Sequence, residues 1–126
     1  MVPLDKHDEE ALKELAIASD DAVLANADAL LEWLQDANWP VYRGVLNRLI
    51  PLGDRLVLPL SEILRGDDSI WKSWIVCDLI GGFDTSTQAL YSDILNEVLL
   101  AASQDDYREG LIDYVEIQLS SIAKNA

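Results

Sequence analysis

The chain has one cysteine, one histidine and one phenylalanine, and only nine lysines and arginines among 126 residues. Each shortage excludes something. A lone Cys77 cannot close an intramolecular disulfide; within the apolar run Trp74-Ile75-Val76-Cys77 it reads as a buried, inert thiol, with no neighbouring base to lower its pKa. A single histidine, His7, leaves no pair of imidazoles at metal-ligand spacing. Nine bases against 23 acids give a net charge of −14, which argues against phosphate neutralisation on nucleic acid and against anionic lipid. No apolar run approaches the roughly 20 residues of a membrane helix. The first residues lack a charged stretch followed by an apolar one, so cytoplasm is the expected compartment. Gly81-Gly82 has no following Gly, Lys or Ser that would make a phosphate loop, and reads as a helix stop.

What is present is helical periodicity and a repeat. A chain of 126 residues fits one domain spanning residues 1–126, and half hydrophobic with a quarter charged is ordinary globular composition. One pattern occurs twice: Asp36-Ala37-Asn38-Trp39-Pro40-Val41-Tyr42-Arg43 followed by Val45 and Leu49, then Asp67-Asp68-Ser69-Ile70-Trp71-Lys72 followed by Ile75 and Leu79. Val41 and Trp71 lie 30 residues apart, within the range of helical units that stack because none can bury its apolar face alone. Between them the charge balances: Asp36, Asp54, Glu62, Asp67 and Asp68 against Arg43, Arg48, Arg55, Arg65 and Lys72. The negative excess therefore lies in the flanks.

Seven helical segments and no strand are expected. The first runs from Asp8 to Ala18, with Leu12, Leu15 and Ala16 inward. The second is capped by Ser19-Asp20-Asp21 and breaks near Asn26 to Asp28. Asn38-Trp39-Pro40 opens the third, with Pro40 in its first turn, and Pro51-Leu52-Gly53 ends it. The fourth spans Asp54 to Arg65, where Pro59 predicts a kink or a late start. Asp67-Asp68-Ser69 caps the fifth, Asp84-Thr85-Ser86 the sixth with Leu90 inward, and Ser103 with Asp105 or Asp106 the last with Tyr107 inward. The expected fold is all-α, a right-handed α-α superhelix of about three stacked helix pairs, with a conventional bundle as the rival.

The chain resembles the bacterial domain-of-unknown-function family 5071, small proteins of HEAT-like helical pairs. The matching elements are Pro3 to Asp8, Leu30 to Val41, Pro51-Leu52-Gly53, and Gly66 to Trp74. Asn-Trp-Pro-Val and Gly-Asp-Asp-Ser-Ile-Trp-Lys-Ser-Trp are the distinctive ones, and the last 45 residues match only as amphipathic helix. The resemblance implies a fold and no activity.

No residue pattern points to catalysis, a metal or a cofactor. Trp39, Tyr42, Arg43, Asp67, Asp68, Trp71 and Lys72 are the candidate partner-binding residues, because aromatics dominate interface hot spots; Trp71 and Trp74, three apart on one face, also read as core wedges. Asp36, Arg43, Arg48, Arg65 and Lys72 are expected to form a ladder of ion pairs between repeats or a polar recognition strip. The expected function is a non-enzymatic protein–protein interaction module, in its sharper form an acidic immunity- or antitoxin-like protein binding a basic partner. The rival is a small-ligand-binding or enzymatic protein with a pocket near Asp5, His7 and the tryptophans; a structural accessory to a neighbouring domain is a third reading.

Overall fold

The computed structural model describes residues 1–126 and contains ten α-helices and no strand. The helices are α1 (Glu9–Ile17), α2 (Asp20–Ala25), α3 (Ala27–Glu32), α4 (Tyr42–Leu49), α5 (Val57–Leu64), α6 (Ser69–Trp74), α7 (Thr85–Ala89), α8 (Ser92–Leu100), α9 (Gln104–Arg108) and α10 (Leu111–Lys124). A 3₁₀ stretch, Ile50–Arg55, prolongs α4, while a π turn, Ile75–Leu79, and a 3₁₀ turn, Ile80–Gly82, prolong α6. The starts follow local chemistry. Asp8, Ser19, Asp68, Asp84 and Ser103 each accept a first-turn backbone N–H in their side chains, and Ser103 with Asp106 completes a reciprocal capping box.

The breaks explain why seven expected segments become ten. Asn26 separates α2 from α3, as its position predicts, and Pro59 sits in the first turn of α5, which starts late at Val57. The third helix also starts later than expected: Val41, whose N–H is spent on the Lys6 carbonyl, precedes its first residue, so Pro40 lies outside it. Leu90-Tyr91 divides α7 from α8, and Gly110, at φ +81°, divides α9 from α10. Each break resets the helical phase. Leu90 and Tyr107, expected to face inward, are 53% and 63% exposed for that reason, while Tyr91 is buried.

Contacts arrange the rods in order. The rods α1, α4, α6 with its π turn, and α10 touch in that sequence, and α8 touches both α10 and α5. Side-chain bonds join these elements: Arg48 of α4 donates to the Leu15 carbonyl of α1, Tyr42 of α4 to Asp78 of the π turn, and Ser69 of α6 to Asp106 of α9. One continuous core of leucines, valines and isoleucines runs between them, with Tyr42 and Tyr91 as its largest fully buried side chains. The Tyr91 hydroxyl donates to the Gly53 carbonyl at 2.7 Å, and a Cβ on Gly53 would lie 2.6 Å from the Phe83 ring, so only glycine permits that approach.

Candidate functional site

The Gly66–Asp68 turn between α5 and α6 separates two concave regions that share Gly66 and Asp67 in their walls. The first, about 370 Å³, lies among α5, α6, α8 and α9, with Arg65, Lys72, Glu97 and Asp106 in its lining. At its base the Lys72 ammonium meets the Asp106 carboxylate at 3.0 Å, with side chains only 6% and 4% exposed. Lys72 also donates to the Gly66 carbonyl at 2.9 Å, and the Ser69 hydroxyl donates to Asp106 at 2.6 Å. The Ser103 N–H donates to the second Asp106 oxygen at 3.0 Å. Burial pushes the Asp106 pKa up, but the Ser69 hydroxyl, the Ser103 N–H and the Lys72 charge outweigh it and hold the carboxyl below its ordinary value. Every polar group there is committed to another, and the result is a clasp joining α6 to the start of α9.

The second region is a groove of about 290 Å³ between α3 and the α5–α6 turn. Pro59, Ile63 and Trp71 give it an apolar floor, and Asp28, Glu32, Glu62, Asp67 and Asp68 surround it without a single base. Trp71 is half-buried, with its indole N–H donating to the Leu31 carbonyl at 3.1 Å, which fixes the ring. Asp68 spends one oxygen on the Trp71 N–H as the α6 cap. The other four acids form no ion pair with this chain's bases, six of which (Lys13, Arg48, Arg55, Arg65, Lys72 and Arg108) are already engaged with acids elsewhere. No three acids, with or without His7 or Cys77, are gathered closely enough to hold a metal ion.

Of the seven residues expected to bind a partner, the structure brings Asp67, Asp68 and Trp71 together in this groove. Trp39 lies in an adjoining notch of about 360 Å³ that also includes Glu32, where it meets Trp33 edge to face at 5.3 Å. Arg43 is exposed beside Tyr42, its guanidinium 5.9 Å from that ring's centroid. Two expectations are corrected. Tyr42 is 1% exposed because it faces the π turn and donates to Asp78 at 2.7 Å; burial, and then that bond, push its phenol well above the usual range. Lys72 is 5% exposed because it turns into the clasp. Neither offers a docking surface.

The expected ion-pair ladder also takes another form. Arg48 binds Asp20 and the carbonyls of Leu15 and Ala18, Arg65 binds Glu97, and Asp36 accepts the Asn38 N–H in its own loop. Arg48, Arg65 and Lys72 each reach a neighbouring element, Arg43 forms no ion pair, and no two members of the set pair with each other. Asp5 and His7 are exposed and do not line the Trp33–Trp39 notch; the Asp5 carboxylate accepts the His7 backbone N–H. Cys77 is half-buried, and burial, then the neighbouring Asp78 charge, push its thiol pKa up. In the sequence Asp106 has only the signature of a helix cap. Its second role left one signal, a lysine one turn into α6, and that lysine does not identify its partner.

No helix is long and apolar enough to cross a membrane. The family described as "Domain of unknown function (DUF5071)" matches residues 1–116, which is all of the chain up to the middle of α10. No curated protein matches.

Proposed function

We propose that this chain, which belongs to the DUF5071 family, is a non-enzymatic module that binds another protein, and that the protein it binds is basic. In this reading the rods form a right-handed superhelical stack of about three HEAT-like pairs. The order in which α1, α4, α6 with its π turn, and α10 touch supports that arrangement. The observation that carries the functional reading is the disposition of charge. Most of the bases are consumed inside the chain, while an open groove with an aromatic floor keeps its acids unpaired. Unpaired like charges around a concavity repel one another in the free protein, and a cationic partner relieves that repulsion as it docks. Charge complementarity of this kind chiefly raises association rate. The sharper form is an immunity- or antitoxin-like role, the neutralisation of a basic toxin in the cytoplasm.

The test is capture from a lysate of the native host at low and high salt, followed by reconstitution with the purified partner. The expected result is a basic protein that forms a stoichiometric complex and associates more slowly as salt rises. A partner that is acidic, or a complex indifferent to salt, would overturn the reading.

A further inference from the structure

We propose that the groove over Trp71 is the seat of one arginine side chain from a basic segment of the partner; this rests on the reading above and names the chemistry of the contact. Acidic residues occur all over this surface, so charge alone does not single out the groove. What distinguishes it is that five exposed carboxylates share its lining with three half-buried apolar residues, Pro59, Ile63 and Trp71. The Trp71 ring is held in place by its bond to Leu31 and is only half-buried, so its geometry is set before any partner arrives. Preorganisation of this kind lowers the cost of ordering on binding.

A compact, strongly hydrated ammonium would have to shed water to lie against that floor. A guanidinium is planar and weakly hydrated, stacks on an indole face, and keeps its N–H donors in the ring plane, pointing outward to carboxylates. Asp28 and Glu32 come from α3, Glu62 from α5, and Asp67 from the turn, so acceptors stand on more than one side. A forked donor is served by such a rim; a point charge uses less of it. The groove volume of about 290 Å³ accommodates a side chain. The same turn is pinned from behind by Lys72 through the Gly66 carbonyl, which keeps Asp67 at the rim.

The experiment uses the full chain with acetyl-tetra-arginine amide and acetyl-tetra-lysine amide as probes at low ionic strength. Binding is followed by calorimetry and by the indole N–H resonance of Trp71, identified by its loss in Trp71→Phe. Two double variants are compared: Glu62→Gln with Asp67→Asn in the groove, and Asp93→Asn with Asp113→Asn, exposed acids outside it. We expect the arginine peptide to shift the Trp71 resonance. The groove variant should weaken it about tenfold, the distant variant less than about twofold, and the lysine peptide should bind several-fold more weakly. Equal losses from both variants, with arginine and lysine peptides binding alike, would overturn the arginine seat while leaving a basic partner in place. Binding of neither peptide would also overturn it; the basic-partner reading then stands or falls on the capture experiment alone.

Discussion

On one side of the Gly66–Asp68 turn the Asp106 carboxylate receives donors at 2.6, 3.0 and 3.0 Å and is shut away from water. On the other, Asp28, Glu32, Glu62 and Asp67 face solvent around the Trp71 floor with no cation of their own. The two regions share a wall and both are rich in acids, but only the first has bases, Arg65 and Lys72, in its lining. Their difference lies in satisfaction: where every charge has a partner inside the fold, the polar groups serve architecture, and where the acids are left over, the surface is free to take a partner from outside. Acidic residues alone would not separate the two; the bases beside them, and their pairing and exposure, do.

The largest effect should come from the closed side. Asp106→Ala strands the Lys72 charge in the interior and should cost about 3–5 kcal/mol in urea unfolding, whereas replacing both partners, Lys72→Met with Asp106→Leu, should restore part of that loss. If the single and double variants are equally unstable, the loss comes from the Ser69 hydroxyl, the Ser103 N–H and the Gly66 carbonyl left without partners, not from the Lys72 charge. A next test sharpens the same point by pH. Asp106 has a lowered pKa in the folded state, so its contribution is fully present above its ordinary value near 3.8 and is lost as pH falls through the lower folded value. The Lys72→Met, Asp106→Leu protein should show a shallower loss of stability across that acid range; an unchanged slope would place the acid sensitivity elsewhere.

Smaller effects belong to the open side. Trp71→Phe removes the donor to the Leu31 carbonyl and should cost about 1 kcal/mol in thermal or urea unfolding, while leaving the helices in place by circular dichroism. Smallest of all, Glu62→Gln with Asp67→Asn should change stability by no more than about 0.5 kcal/mol, in the stabilising direction, because it relieves repulsion without opening a buried contact. Added salt should shrink even that gain. A large loss would mean the groove acids hold the fold together, and the contrast between the two sides would fail.

Much of this was legible before any coordinates. Ser19, Asp68, Asp84 and Ser103 cap helices where expected, and Asp8, expected as the first helical residue, caps α1 one residue before it; Asn26 and Pro59 interrupt or delay helices where expected. Trp71 and Trp74 do pack against the core, though both remain half-buried rather than sealed in a dry wedge. Asp67, Asp68 and Trp71 were recognisable as candidates because they are neighbours in the chain. The other walls of their groove, Asp28, Glu32 and Glu62, were not, since they come from α3 and α5. Tyr42 and Lys72 were misplaced for the same reason: each lies next to exposed residues in sequence, but its polar end is claimed by Asp78 or Asp106 on a rod more than thirty positions away.

The sequence by itself determined the all-helical class, most helix starts and the negative charge, since these follow from interactions within a turn or two or from simple composition. Only the tertiary structure decided which charges are paired, where Leu90 and Tyr107 point after their helices break, and that an acid-rimmed aromatic groove exists at all. Those outcomes depend on distances between rods that no local pattern encodes, because a carboxylate's role is set by whichever donor the packing brings within about 3 Å of it.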